Sequence, residues 1–511
     1  MIKIENIYWE RANLHFLFDK KISQNLYITN NNTRIKLEKL NDKDFYINIT
    51  NTNGTMLNAG NWFLSCDNTE IKVNKNIYTK TGDLSRNFKY RSNLYAYLVN
   101  FYITPEEEIK ISTEFMMINH KPKSFFRLSE TKSIKRKIKI IINIIAVHIA
   151  NLFYKTIRLF KIGKKNILFL TENSNELTWN LKTLYEYTKA NRKEKIKIYS
   201  EDKYKNKKNP LSFLKEIIFI AQSDYIFVDN YTPILTHLKL NKKVKLIQLW
   251  HAGIGFKAVG YARFGLEGSP HPYKSCHRNY TDAIVDQPDL IKIYQEVFGT
   301  KEEIFKSTGI PRLNNYLDKS KIDESISNLE KINTKFKDKK VILFSPTYWG
   351  TGSKTAYYDF ELLNFEEIYN FCKKNDFIFV IKNHPFIKEP VKINKKYDKY
   401  IYDYSTLDIN DLIYISDIMI TDYSSCAYEY SLFNRPLIFF RFDKEFYEYD
   451  RPMHTVDKFT KKQYEVRTFD ELIKLLNELS KKIKIEDRFK NINKRNNNNS
   501  CETIIKEIVG D

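Results

Sequence analysis

Cysteine is scarce in this chain of 511 residues: Cys66, Cys276, Cys372, Cys426 and Cys501 stand far apart, with no CxxC pair. That spacing argues against a zinc site or a disulfide framework and fits a reducing compartment. A long uncharged apolar run is missing too. The nearest, residues 138–154, is interrupted by Lys139, Asn143, His148 and Asn151. It falls short of the roughly 18 apolar residues expected of a spanning helix. The start, Met1-Ile2-Lys3-Ile4-Glu5-Asn6, has no apolar core behind a basic start, so no secretory signal peptide is expected. Acid is under-represented: 62 Asp and Glu stand against 84 Lys and Arg, a net charge of +22. Such a balance asks for a polyanionic partner, whether nucleic acid, an anionic membrane surface or a phosphate-rich substrate. The basic residues are spread over helices and form no nucleic-acid reading motif, so no nucleic-acid partner is expected. Part of the excess reflects a general leaning toward Lys, Asn and Ile.

An apolar content of 42% over this length supports two or three domains with large cores. Residues 1–118 read as short strands such as Leu26-Tyr27-Ile28-Thr29 and Phe45-Tyr46-Ile47-Asn48-Ile49, separated by Asn, Asp and Gly turns. They predict a small antiparallel β-sandwich, and no catalytic cluster falls within it. Residues 119–165 change character. Lys132, Lys135, Arg136, Lys137 and Lys139 lead into an isoleucine-rich helix, and Lys155, Arg158, Lys161, Lys164 and Lys165 follow. An apolar helix flanked by cations reads as a basic amphipathic linker lying on an anionic membrane face, or as a buried linker helix with solvated ends. Strands and helices then alternate, over residues 166–330 and again over 331–480. The pattern predicts two doubly wound parallel sheets, an α/β class with a ligand cleft between their carboxyl ends. Residues 481–511 read as a basic, Asn-rich tail, with Asn496 to Asn499 forming a turn.

Candidate chemistry falls where the strands end. In Ile420-Thr421-Asp422-Tyr423-Ser424-Ser425 an apolar strand runs into an acid and two hydroxyls, directly before a helix. Free backbone N–H groups and the hydroxyls of Ser424 and Ser425 suit a phosphate, although Asp and Ser also serve as ordinary helix caps. Leu249-Trp250-His251-Ala252-Gly253 and Lys382-Asn383-His384-Pro385-Phe386 each place a histidine at a sheet's carboxyl edge. Either ring can take a proton at neutral pH, though a lone histidine is more often structural. Ser345-Pro346-Thr347-Tyr348-Trp349-Gly350, with Gly352 beyond it, offers the Thr347 hydroxyl over a phosphate or a base, or is simply a tight turn. Gly309-Ile310-Pro311-Arg312 ends in a guanidinium fork suited to phosphate, or in a surface cation.

Taken in order, these motifs resemble the CDP-glycerol glycerophosphotransferase family of teichoic acid primases and polymerases. Trp250-His251-Ala252-Gly253 is similar to its Trp-His-Gly element, with Ala252 inserted. Gly309-Ile310-Pro311-Arg312 matches Gly-x-Pro-Arg, Ser345-Pro346-Thr347 matches Ala-Pro-Thr, and His384-Pro385 matches His-Pro. Thr421-Asp422-Tyr423-Ser424-Ser425 matches in full, followed by Glu429 and Asn434-Arg435-Pro436. The resemblance covers residues 166–475, with a looser match of the N-terminal sandwich to an accessory domain. It implies a GT-B-like pair of Rossmann-type domains, 166–330 for the acceptor and 331–480 for the donor. It also implies transfer of glycerol phosphate or ribitol phosphate from CDP-glycerol or CDP-ribitol to a polyprenyl-diphosphate-linked acceptor at the cytoplasmic face of the membrane, releasing CMP. His251 is then the base, His384 and Arg312 balance phosphoryl charge, and Ser424, Ser425 and Thr347 hold the pyrophosphate. Asp422 orients the loop or touches the polyol, and Glu429 meets the nucleotide. No metal and no cofactor is expected. Two departures stand out: Trp349 occupies a position where relatives often carry Arg, so that a phosphate contact is either lost or supplied by Lys354 or Arg451, and the Ala252 insertion moves the turn that aims His251. They point to a different polyol, or to a capsular rather than wall polymer. A GT-B glycosyltransferase using a nucleotide sugar in envelope synthesis is the alternative, and the oligomeric state stays open.

Overall fold

The computed structural model describes residues 2–31, 33–67, 69–90, 95–117, 134–203, 209–253, 257–266, 269–350, 355–454, 462–488 and 499–510. Lys132, Gly352, Lys354 and Asn496 to Asn498 lie outside them, as do the side chains of Lys135, Arg136, Lys137 and Lys139.

The N-terminal unit holds β1 (Ile2–Glu10), β2 (Asn13–Phe18), β3 (Leu26–Asn30), β4 (Thr33–Lys36), β5 (Glu38–Lys39), β6 (Asp44–Asn48), β7 (Gly60–Cys66) and β8 (Ile71–Val73). A short helix α1 (Thr81–Leu84) precedes β9 (Arg86–Tyr90), β10 (Tyr95–Ile103) and β11 (Ile109–Met117). Two sheets form, in the orders β5-β6-β2-β1-β8 and β4-β3-β7-β11-β10-β9. All pairs are antiparallel save β1 with β8, which run parallel. Along β1 the side chains of Ile2 and Ile4 point inward, and a register shift between Ile4 and Asn6 moves the inward parity to Ile7. Both sheets contribute to one core, including Phe16, Phe18, Phe45, Trp62, Tyr97 and Ile111.

Helix α2 (Ile134–Leu159) leads to the first parallel unit. Ala150 and Tyr154 bury one face, and Asn151 donates to the carbonyl of His237 at 2.9 Å. The opposite face leaves Ile138, Ile142, Ile145, Ile149 and Leu152 between 50% and 66% exposed, a stripe at helical spacing.

In the first unit β12 (Ile167–Thr171), β13 (Ile196–Ser200), β14 (Tyr225–Val228), β15 (Lys245–Gln248), β16 (Asp282–Ile284) and β17 (Phe305–Lys306) form an all-parallel sheet. Its order is β13-β12-β14-β15-β16-β17. Helices α3 (Trp179–Asn191), α4 (Pro210–Ala221), α5 (Ile234–His237) and α6 (Ile291–Phe298) connect the strands. The charged helices α7 (Lys319–Ile332) and α8 (Lys335–Asp338) then lead to the second unit.

There β18 (Lys340–Phe344), β19 (Phe377–Ile381), β20 (Ile401–Asp403), β21 (Ile418–Thr421), β22 (Leu437–Phe440) and β23 (Gln463–Val466) form the order β20-β19-β18-β21-β22-β23. Helices α9 (Phe365–Asn375), α10 (Ile409–Ile415), α11 (Cys426–Ser431), α12 (Lys444–Asp450) and α13 (Phe469–Ser480) complete it. The central strands are apolar and buried throughout, as parallel strands covered on both faces must be. In each sheet the strand order reverses beside the first strand, which is where such folds bind ligands.

The edge strands β17, β20 and β23 were too short or too polar to read from the sequence. The C-terminal segment departs from a simple basic tail. Helix α14 (Ser500–Ile508) returns to the first sheet, and Cys501, Ile504, Ile505 and Ile508 pack with Ile167, Phe169, Phe227 and Ile247. The two parallel units also share one apolar cluster that runs from Leu168 and Leu246 to Leu343 and Met419.

Ile504 is fully buried in that contact. Replacing it with alanine is expected to lower stability by about 2–5 kcal/mol. Differential scanning calorimetry would show a midpoint several degrees lower, and an unchanged midpoint would remove α14 from the folded core.

Candidate active site

His251 sits on a loop bent hard at Trp250. Trp250 has φ of 55°, in the left-handed region that a bulky residue rarely adopts. Buried partners hold it there. Its N–H donates to Oε1 of Gln248 at 2.8 Å, and its carbonyl accepts from Nδ2 of Asn180 at 2.6 Å. One residue past His251, the Tyr294 hydroxyl donates to the Ala252 carbonyl at 3.0 Å. The His251 ring packs on Trp250 and Trp179, with centroids 4.4 and 5.8 Å away. Its Nδ1 lies 3.3 Å from the carbonyl oxygen of Asp229. A carbonyl only accepts, so Nδ1 carries the proton of the neutral ring and Nε2 is left as the acceptor. Burial, with Arg312 adding to it, pushes the imidazolium down to about 4, so the ring is neutral at neutral pH.

Strand register explains the Asp229 contact. Val228 pairs with Gln248, and the Leu249 N–H donates to the Val228 carbonyl at 2.7 Å, which brings the ends of β14 and β15 together. The Asp229 side chain is completely buried. Burial pushes its carboxyl up to about 7 against the hydrogen bond from Asn230, and its Oδ2 has no partner.

In the second unit Phe344 pairs with both Ile381 and Ile420. That register lays the loops after β18, β19 and β21 side by side at the point where the strand order reverses. Oδ1 of Asp422 accepts from the N–H groups of Thr347, at 2.8 Å, and Tyr423. Burial raises the Asp422 carboxyl to about 6, opposed by those two donors and by Lys257. Asp422 therefore lies behind the two loops and ties them together. Ser424 and Ser425 remain partly exposed at the mouth. Ser425 precedes α11 without making a side-chain cap bond, so its hydroxyl is not consumed by the helix.

The two units meet at α11. A Cβ on Gly253 would lie 2.2 Å from Cδ1 of Tyr428, far inside contact distance. The same Tyr428 donates its hydroxyl to Oδ2 of Asp286 at 2.6 Å. One residue on, Glu429 is buried against Arg312 of the first unit. The structure brings Arg312, expected at a phosphate, and Glu429, expected at the nucleotide, together as a pair across the seam. Asn180 joins both halves of this arrangement, since its Oδ1 accepts the Arg312 N–H at 3.0 Å while its amide holds Trp250.

His384 stacks near Tyr348, with centroids 4.5 Å apart, and accepts at Nδ1 from the Phe386 N–H at 3.2 Å. Burial, then the nearby ammonium groups of Lys257 and Lys382, push its imidazolium down to about 4. Trp349 packs on Phe446 and Tyr447 and forms an aromatic wall. Arg451 donates to the carbonyls of Tyr348 and Gly350 at 3.1 and 2.6 Å. It thus braces the loop after β18. Lys257 crosses from the first unit, and its Nζ bonds Oγ1 of Thr347. The segment that receives it is braced by the N-terminal unit. Arg11 donates to Glu296 at 2.8 and 3.0 Å and to the Met453 carbonyl at 2.9 Å.

Asn180, Asp229, Lys257, Asp286 and Tyr428 escaped the sequence reading. Asp229 carried a legible signal, an acid directly after an apolar strand, as at Asp422. Lys257 stands four residues past Gly253, but nothing in its spacing shows which unit it serves. Among the described residues no cluster of three or more His, Cys, Asp or Glu side chains is arranged to hold a metal.

Known proteins match this chain in sequence and in fold. A family model described as CDP-Glycerol:Poly(glycerophosphate) glycerophosphotransferase matches residues 152–510, from within α2 to the last described residue. Over 299 residues the chain is 37% identical to the teichoic acid poly(ribitol-phosphate) polymerase of Bacillus spizizenii, covering 58% of this chain and 48% of that one. It is 34% identical to the teichoic acid ribitol-phosphate polymerase TarL of Staphylococcus aureus, over 58% of this chain and 53% of that one. The chain thus spans about half the length of these curated relatives. Its fold matches the wall teichoic acid polymerase TagF with a TM-score of 0.55 at 19% identity, covering 75% of this chain and 98% of that one.

Gly253→Ala is expected to push the two units apart and to lower stability by about 1–3 kcal/mol. Small-angle scattering and thermal unfolding report both effects; an unchanged midpoint and radius of gyration would mean the Tyr428 contact does not set the separation. Glu429→Gln leaves the Arg312 charge buried without its counter-ion, for which a loss of about 3–5 kcal/mol is expected in the same unfolding measurement.

Proposed function

Because the chain belongs to the CDP-glycerol:poly(glycerophosphate) glycerophosphotransferase family, we propose that it transfers a polyol phosphate from a CDP-activated polyol to a hydroxyl acceptor and releases CMP. The acceptor hydroxyl attacks the β-phosphorus of CDP-ribitol or CDP-glycerol. A new P–O bond forms, the bond to the bridging oxygen breaks, and CMP leaves with that oxygen. The acceptor proton passes to Nε2 of His251. The observation that carries this reading is the neutral His251 ring with its Nδ1 proton committed to a carbonyl, two residues from the seam that joins it to the Ser424-Ser425 loop.

Phosphoryl transfer depends on positioning and electrostatic stabilisation, and the remaining residues supply both. Thr347, Ser424 and Ser425 hold the pyrophosphate, and Asp422 fixes the two loops that carry them. His384 is neutral and acts as a hydrogen-bonding group rather than a charge. Arg312 and Glu429 act together, their pairing fixing the first unit against α11. The two parallel units form a GT-B-like pair, with the acceptor on residues 166–330 and the donor on 331–480, and the N-terminal sandwich serves as an accessory domain.

The acceptor on this reading is a polyprenyl-diphosphate-linked polymer of teichoic or capsular type at the cytoplasmic membrane face. Among the described residues no helix is long and apolar enough to cross a membrane. The exposed isoleucine stripe of α2 and the cations that flank it in sequence support peripheral attachment to an anionic surface. The matches to ribitol-phosphate polymerases support CDP-ribitol as the donor over CDP-glycerol.

Mass spectrometry of products made in parallel from CDP-ribitol and CDP-glycerol decides the donor, and failure of both to yield CMP would sink the proposal. His251→Ala is expected to slow CMP release by about 10²–10⁴ while CDP binding persists. Undiminished release would take His251 out of the mechanism. Since a depressed imidazolium leaves the base free above its own pKa, turnover should hold as pH falls from neutral and drop only as it nears about 4. Sedimentation with anionic vesicles is expected to weaken when Lys132, Lys135, Arg136 and Lys137 are neutralised together; equal sedimentation of that variant would refute the membrane role of these cations.

A further inference from the structure

Lys257 belongs by sequence to the first parallel unit and by contact to the second. Its backbone forms an antiparallel bridge with Met453, and the Ala258 N–H donates to the Pro452 carbonyl at 2.8 Å. Its Nζ bonds Oγ1 of Thr347, on the loop after β18. The rings of Tyr348 and Tyr447 lie 5.6 and 5.8 Å from the ammonium of this half-buried residue. Asp422, Arg451, Cys426 and His384 are the titratable and charged groups around it. Of these, Asp422 already accepts two backbone donors. Among the described residues no carboxylate forms an ion pair with Lys257. A half-buried ammonium against one hydroxyl, with aromatic walls and a second cation nearby, suits an anionic ligand.

We propose that Lys257 is a direct ligand of the donor's pyrophosphate, so that a residue of the first unit completes the donor site of the second. The assignment rests on the CDP-polyol reading above. It makes donor binding a clamp between the units, since Thr347 and Lys257 grip one anion from opposite sides of the seam. It also adds a pH dependence. Burial holds the free ammonium down to about 8, with Asp422 opposing and Arg451 reinforcing the shift. Below that pH the cation is present and binds the anion; above it the cation is lost and binding weakens. A bound pyrophosphate favours the charged form, so donor binding near this pH takes up a proton.

CDP itself, which carries the pyrophosphate without any polyol, is the probe. Titration calorimetry on the full chain at about pH 7 and about pH 9 would compare wild type, Lys257→Met and Lys257→Arg. Wild-type affinity should fall by roughly tenfold between the two pH values. Lys257→Met should bind roughly tenfold or more weakly at the lower pH and lose the pH dependence. Lys257→Arg should bind at the lower pH like the wild type and keep that affinity at the higher one, a rescue that a purely structural role would not give. Wild-type affinity in Lys257→Met, or equal wild-type affinity at both pH values, overturns the assignment alone. Failure of the wild type to bind CDP overturns the donor reading and the assignment with it.

Discussion

The ring of Tyr428 against the bare Cα of Gly253 sets how closely the two parallel sheets approach. Residues of the site flank that contact on both sides of the seam. His251 lies two residues before the glycine, and the Ser424-Ser425 loop ends three residues before the tyrosine. The hydroxyl of Tyr428 reaches Asp286 and Glu429 reaches Arg312, so a single turn of α11 holds the first unit at three points. Close packing leaves no room for slack, and His251 and the loop are thereby held in register.

Charge is handled in the same place. A lone buried charge is expensive, and two cations of the first unit enter the second. Arg312 has its counter-ion in Glu429, while Lys257 meets a hydroxyl and, among the described residues, forms no ion pair. The N-terminal strands contribute at a distance. Arg11 reaches the carbonyl of Met453, whose backbone in turn pairs with Lys257. A unit that carries no candidate catalytic residue thus braces the segment against which Lys257 is seated.

The histidines show how environment selects among chemically equal residues. His251 and His384 both lie at strand ends and both are depressed to about 4. His251 owes this to burial beside Arg312, and its Nδ1 points at a carbonyl. His384 instead faces two ammonium groups, and its Nδ1 accepts a backbone N–H. The first contact leaves Nε2 of His251 an acceptor, and the second leaves Nε2 of His384 the protonated nitrogen of the neutral ring.

Periodicity and punctuation were legible in the sequence. The apolar runs Ile167-Leu168-Phe169-Leu170 and Val341-Ile342-Leu343-Phe344 announce buried parallel strands because their burial is local and complete. His251, His384, Thr347 and Asp422 could be placed at strand ends for the same reason, since a strand's length is fixed by its own residues. Helix α14 is not legible in the sequence, because its apolar face is short and its partner, Phe169, lies over three hundred residues away. The pairing of Arg312 with Glu429 and the crossing of Lys257 to Thr347 were equally invisible. Sequence alone determined which residue types stand at the carboxyl edges of the two sheets. Only the tertiary structure decided which unit each side chain serves, because that depends on how closely two separately formed surfaces pack, and a glycine facing a tyrosine ring is a fact of that packing.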